Sequence, residues 1–227
     1  MRVLAIDTAL AACSAAVLDT ASGDILAGES LPMLRGHAEA LMPLLARVMK
    51  QSGVAFPDID RVAVTTGPGS FTGLRVGIAA ARGIALAAGK PTVGVTTLAA
   101  YAAPQLAADE NTPVIATIDA RHEHVYLQVF GHGSRSLAAP RLAALSEAAR
   151  AASEVPSRIV GSAAEAVAAL LSKDAPAPLL VEAREAPDIA WVARIGAHAP
   201  EAQSPPKPLY LRAPDAQPQN AAQLPRR

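Results

Sequence analysis

Apolar and polar positions follow one another in a repeating order. Residues 2–8, Arg2-Val3-Leu4-Ala5-Ile6-Asp7-Thr8, form an apolar run ending in Asp-Thr. Residues 13–19 form a second run, and after the turn Ser22-Gly23-Asp24 residues 25–30 form a third. Apolar runs separated by turn chemistry predict a three-stranded meander. Over 36–52 the period becomes helical: Leu41, Met42, Leu44, Leu45, Val48 and Met49 fall within an arc of roughly 160°, with Glu39, Pro43, Arg47 and Lys50 opposite. That arc is wider than one sheet face requires, and its methionines suit an adaptable contact surface. The alternative is a deeply packed core helix. Residues 61–66, Arg61-Val62-Ala63-Val64-Thr65-Thr66, predict a strand; Ser70 can cap a helix with no proline before Pro91. Residues 91–95 predict a strand and 97–108 a helix.

The polar stretch Asp109-Glu110-Asn111-Thr112-Pro113 interrupts the pattern, and the series then restarts. Residues 114–119 predict a strand ending in Asp119, 120–123 a turn and 124–130 a second strand, echoing Ile6-Asp7 and its hairpin. Two such halves imply a duplicated fold, with one domain at 1–108 and another at 109–212. Helices are expected at 140–153, 163–171 and 189–198, a strand and turn at 158–162 and an extended piece at 176–181. After Pro200 the chain is rich in proline and glutamine, and 213–227 is expected to be disordered.

Composition narrows the function classes. Twenty basic and twenty acidic residues leave no basic field for independent nucleic-acid binding, and 3% aromatic content leaves few stacking platforms. The single Cys13 excludes an intrachain disulfide framework and fits a reducing compartment. The first apolar run is broken at Asp7, unlike a signal peptide, and no segment is expected to reach the ~20 apolar residues of a membrane span.

The chemistry-bearing stretch is Gly67-Pro68-Gly69-Ser70-Phe71-Thr72-Gly73-Leu74-Arg75-Val76-Gly77, a glycine turn between strand and helix. Free N–H groups at a helix start favour phosphate, but the spacing does not. Thr72 stands where a dinucleotide fingerprint needs glycine, Leu74 and Arg75 follow Gly73 where a Walker loop needs Lys-Ser/Thr, and Pro68 and Thr72 flank Ser70 where a nucleophile elbow needs glycines. Gly73, Gly77, Ala80, Ala81, Ala87 and Ala88 form one stripe, interrupted by Ile84. Interior glycines cost a helix about 1 kcal/mol each, so close approach of another backbone is expected, either the domain's own sheet or a second protein. On a strand His122 and His124 would share a face and could hold a metal, but no third ligand is near them in sequence, and a solvated edge is the expected reading.

Taken together, Ile6-Asp7-Thr8, His37-Ala38-Glu39-Ala40-Leu41-Met42-Pro43, the Gly67–Gly77 block, Asp119-Ala120-Arg121 and Pro208-Leu209-Tyr210-Leu211-Arg212 resemble the bacterial TsaB (YeaZ) family. The resemblance implies an α/β fold of two related actin-like, sugar-kinase-like domains (the ASKHA, RNase H-like class) with mixed sheets. It implies a cytoplasmic, non-catalytic subunit for making N6-threonylcarbamoyladenosine beside the anticodon of tRNAs that read codons beginning with A. The implied partners are the catalytic paralogue TsaD, the ATPase TsaE, a second copy of the chain when alone, and tRNA through the complex, with no membrane. ATP and a metal belong to the partner subunits, and this chain needs no cofactor of its own.

The paralogue's Val-Asn-His-x-x-x-His metal pair falls on Val95-Thr96-Thr97-Leu98-Ala99-Ala100-Tyr101, where Thr97 and Tyr101 replace both histidines with poor ligands. Ala9 and Arg121 stand where active actin-like ATPases carry phosphate-facing glycines. A vestigial nucleotide cleft is therefore expected around Asp7, Thr8, Gly67, Asp119, Arg121 and Gly161. The partner surface is expected at His37, Glu39, Leu41, Met42, Leu45 and Met49 on one helix and Phe71, Thr72, Gly73, Arg75, Val76, Gly77 and Ala80 on the next. A working actin-fold ATPase or kinase, with Asp7 and Asp119 as metal carboxylates, is the competing reading; a metallopeptidase would need the missing histidines.

Overall fold

The computed structural model describes residues 1–200 and 204–212. β1 (Arg2–Asp7), β2 (Ala12–Asp19) and β3 (Asp24–Pro32) pair antiparallel in sequence order. β1 and β2 are buried almost throughout and therefore read as continuous apolar runs, whereas β3 alternates exposed and half-buried residues at the sheet edge. α1 (His37–Ser52), β4 (Arg61–Gly67), α2 (Phe71–Ala88) and β5 (Thr92–Thr96) follow. β4 lies parallel to β1 and β5 parallel to β4, which gives the order β3-β2-β1-β4-β5.

The second half repeats this plan. After α3 (Thr97–Ala108), β6 (Val114–Asp119), β7 (His124–Phe130) and β8 (Arg141–Ala144) form the meander. Then come α4 (Leu145–Ser153), β9 (Arg158–Val160), α5 (Ala164–Ala168), β10 (Leu180–Glu182) and α6 (Ile189–His198). The order β10-β9-β6-β7-β8, with β9 parallel to β6 and β10 parallel to β9, is the first sheet's arrangement read from its other edge. Both sheets are mixed, and the expected duplicated α/β plan is present.

Several local expectations change. Residues 141–144 are the edge strand β8, not the first turn of a helix from 140. Their Arg-Leu-Ala-Ala sequence carries no β-branched residue, and pairing with β7 decides their state. The helix expected at 163–171 is confined to Ala164–Ala168, and the extended piece at 176–181 becomes a strand only over Leu180–Glu182, where β9 offers an edge. α2 is long and apolar enough to cross a membrane by length and composition, contrary to expectation. One of its faces is nonetheless buried on the first sheet, as in a core helix. The tail expected to be disordered, 213–227, lies outside the described residues.

A division at residue 109 does not separate the two cores. Asp109–Pro113 does lie between α3 and β6, but the helices at the end of each half cross over. Leu98, Tyr101, Ala102 and Leu106 of α3 pack on Val114, Ala116, Ile118 and Val160 of the second sheet. Ile189, Val192 and Ala193 of α6 pack on Val3, Ala5, Ala16, Ala63 and Val93 of the first. Arg61, buried at the start of β4, fixes α6 by donating from one guanidinium nitrogen to the carbonyls of Gly196, Ala197 and Ala199 at 3.0, 3.2 and 2.6 Å. Each lobe is thus closed on one face by the other half's helix.

Candidate functional site

The Gly67–Gly77 block welds α2 to the end of β1. Ser70 caps α2, its hydroxyl accepting from Gly73 N at 3.3 Å, while its own N–H donates to the Ala9 carbonyl at 2.7 Å. The Thr8 hydroxyl donates to the Gly73 carbonyl at 2.7 Å. A Cβ on Gly73 would collide with the Thr8 carbonyl and one on Gly77 with the Thr8 hydroxyl. The close approach expected of these glycines is therefore made to the chain's own first strand, and both are buried there.

Between the lobes lies a cleft of about 550 Å³, lined on one side by Ala9, Leu10, Ala11 and residues 68–71 and on the other by residues 118–121, Tyr126, Ser162 and Glu185. The residues expected to form a vestigial nucleotide cleft divide. Asp119 and Arg121 line it. Asp7 and Thr8 lie fully or almost fully buried behind it, and neither lines it. Asp7 Oδ1 accepts from the Thr65 hydroxyl at 2.5 Å and from Ala9 N at 2.9 Å, while Oδ2 has no partner among the described residues. Burial pushes this carboxyl above the usual carboxylate range, outweighing the Thr65 and Ala9 hydrogen bonds that lower it. Gly161, at φ 106°, turns against the Thr117 carbonyl and leaves the cleft to its neighbour Ser162. Gly67, at φ 109°, is covered by the Leu209 carbonyl.

That last contact reveals a wall the sequence did not assign. Leu209, Tyr210, Leu211 and Arg212 line the cleft as well. They form an apolar and aromatic island in a proline-rich stretch, which was the available signal. Across from them, Arg121, His122 and Glu123 all have φ near +60°, so the hairpin tip holds three side-chain-bearing residues in the left-handed region.

The positions matched to metal histidines are filled differently. Thr97 is fully buried; Tyr101 is nearly so, and its hydroxyl donates to the Arg184 carbonyl at 2.7 Å. Among the described residues no three His, Cys, Asp or Glu side chains converge as ligands, and His124 Nδ1 is bonded to the His122 carbonyl at 2.6 Å.

The expected partner residues also divide. Leu41, Leu45 and Met49 of α1 are buried in the first lobe's core with Val48 and Ile78, so the wide apolar arc is mostly packing. His37 is buried too, with Nε2 donating to the Leu10 carbonyl at 3.0 Å. Glu39 and Met42 (56% exposed) remain outside on α1, and Phe71, Thr72 and Arg75 on α2, with Val76 and Ala80 half-buried. The outer face of α2 continues through Ala79 and Gly83 to Leu86, which is 86% exposed; neither Gly83 nor Leu86 was assigned a role from sequence.

Comparison with known proteins bears on this arrangement. The family model described as TsaD: tRNA N6-adenosine threonylcarbamoyltransferase matches residues 32–171. The tRNA threonylcarbamoyladenosine biosynthesis protein TsaB of Escherichia coli (strain K12) is 42% identical over 126 residues, 56% of this chain and 53% of that protein. The chain thus spans about half the length of the curated TsaB relatives it matches. An uncharacterized protein of Mycobacterium tuberculosis (strain H37Rv) is 33% identical over 95% of this chain and 94% of its own length. Among solved structures, YeaZ from Pseudomonas aeruginosa superposes with a TM-score of 0.74 at 26% identity, covering 92% of this chain and 99% of that one.

Proposed function

This chain belongs to the TsaD family, on its TsaB (YeaZ) side, and from that premise we propose that it is a non-catalytic subunit of the machinery that makes N6-threonylcarbamoyladenosine in tRNA. The observation that carries the reading is the fate of the two positions matched to the paralogue's metal histidines. Thr97 and Tyr101 are buried, and the Tyr101 hydroxyl is engaged by a backbone carbonyl. Asp7, which the competing ATPase reading needs as a metal carboxylate, faces Thr65 within the sheet and does not line the cleft. The chain's contribution is then a surface. It docks on the catalytic TsaD subunit, works beside the ATPase TsaE, self-associates when alone, and reaches tRNA only through the complex, in the cytoplasm. ATP and the metal are used by the partners.

The docking surface is the exposed ridge of Met42 on α1 and Phe71, Thr72, Arg75, Ala79, Gly83 and Leu86 on α2, resting on a buried apolar layer. Small residues on α2 let a partner helix approach closely, while Met42, Phe71 and Leu86 supply apolar area, the pattern of a docking centre. Met42→Glu tests this directly. The side chain is exposed, so the monomer should keep its fold and melting temperature. A charge at the centre of the contact should weaken association by about 2 kcal/mol or more, roughly thirtyfold. Sedimentation of the variant and nucleoside analysis of tRNA from a reconstituted system read both effects. Normal assembly with full modification would remove this surface from the reading, and ATP turnover by the purified chain that Asp7→Ala abolishes would restore the ATPase alternative.

A further inference from the structure

Residues 204–212 run across the mouth of the cleft and are fastened at both ends. On the first lobe, Arg82 of α2 donates to the Pro206 carbonyl at 2.5 Å, and Leu209 N donates to the Thr66 carbonyl at the end of β4 at 2.7 Å. Gly67 makes room for this course, since a Cβ there would lie 3.0 Å from the Leu209 carbonyl. Tyr210 then meets the first turn of α2: its ring centroid is 5.1 Å from that of Phe71, and its hydroxyl accepts from Arg75 Nε at 3.1 Å. Arg75 in turn lays its guanidinium 3.8 Å over the Phe71 ring. At the far end, Arg212 crosses to the second lobe and donates to the Ala120 carbonyl at 2.9 Å, at the base of the left-handed hairpin tip.

One segment therefore touches three things at once: the second lobe, the end of β4, and the Phe71–Arg75 corner of the exposed α2 ridge. We propose that residues 204–212 are a latch that couples closure of the cleft to presentation of the α2 docking corner. The proposal rests on the docking reading given above and adds its regulation. With the latch seated, Tyr210 and Phe71 hold the Arg75 fork between a hydroxyl and a ring face, so both side chains are ordered before a partner arrives and need not be ordered on docking. With the latch released from Ala120, the strap loses that tie to the second lobe, Tyr210 loses its fixed course, and the corner is no longer preset. α3 and α6 join the lobes elsewhere, so they serve as the hinge and the strap as the catch. Linkage requires reciprocity: a partner that prefers the seated latch must stabilise it by the same factor.

The test uses the full chain and three variants. Arg212→Ala removes the guanidinium that donates to the Ala120 carbonyl of the second lobe. It should speed amide exchange at Leu209 and around the 120–124 hairpin, and it should weaken self-association and binding to the catalytic subunit about fivefold or more. Arg212→Lys keeps a donor and should recover part of both losses. In the wild-type chain, bound partner should slow Leu209 exchange by a similar factor, a measurement that needs no variant to fold. Association unchanged within about twofold in Arg212→Ala, or Leu209 exchange indifferent to partner, would overturn the latch. Met42→Glu separates the two ideas. If it abolishes association while Arg212→Ala does not, only the latch fails; if neither matters, the docking face itself was misplaced and the latch loses its role with it.

Discussion

Asp7 shows at the scale of one residue how the end of β1 is held. Its carboxyl is fully buried, with the hydrogen bonds from Ala9 N and the Thr65 hydroxyl on one oxygen, and burial holds it above the ordinary carboxylate range. The folded chain then binds more protons than the unfolded one between the ordinary and the raised values. Its contribution to stability accordingly declines as pH rises from about 4 through the raised value. Asp7→Asn keeps the accepting oxygen and removes the ionisation. It should raise the melting temperature at neutral pH and lose that advantage near pH ~4. Each kcal/mol moves the midpoint of a chain this size by about 2–4 °C, so the difference is measurable. An equal shift at both pH values would show that charge is not the cause. The end-of-strand position of Asp7 was legible from the apolar run before it. That its carboxyl points toward Thr65 was not, because β4 arrives from more than fifty residues away. The same burial raises the Tyr101 hydroxyl, with Asp7 as the next cause, and lifts the Cys13 thiol to about 11, so neither is poised for chemistry at neutral pH.

Among elements, α2 separates two kinds of glycine that look alike in sequence. Gly73 and Gly77 face Thr8, while Gly83 faces open space. Alanine should help any helix interior by up to ~1 kcal/mol, and Gly83→Ala should deliver that gain in the isolated chain. Gly73→Ala and Gly77→Ala should instead destabilise by about 1–3 kcal/mol, since a methyl must displace the Thr8 carbonyl in the first and the hydrogen-bonded Thr8 hydroxyl in the second. Denaturant unfolding of the three variants gives the signs, and a uniform sign would mean that the weld to Thr8 is slack. The stripe that drew attention to these glycines was correct as geometry and silent about its partner, because periodicity names a face and never what lies against it. The same limit explains α1, whose wide arc is filled largely by its own core, and β8, whose state is set by β7.

For the whole molecule, duplication was readable because strand, Asp and hairpin recur at residues 2–19 and 114–130. The crossing of α3 and α6 was not, since nothing local marks which sheet a helix covers. The exchange makes the lobes interdependent. A fragment of residues 1–108 lacks α6 and would leave Val3, Ala5, Ala16, Ala63 and Val93 uncovered on one sheet face. It should not unfold cooperatively on its own, whereas the full chain should melt in a single calorimetric transition. Two separated transitions in the full chain, or a well-folded fragment, would contradict this coupling. The exchange also sets a timetable for synthesis. The first sheet is complete once β5 has been made, but the helix that seals it is encoded close to a hundred residues later. At ~5–20 residues per second, a nascent chain carries an unsealed apolar sheet for roughly five to twenty seconds before α6 emerges, an interval in which a chaperone or a neighbouring ribosome's product can reach that face first.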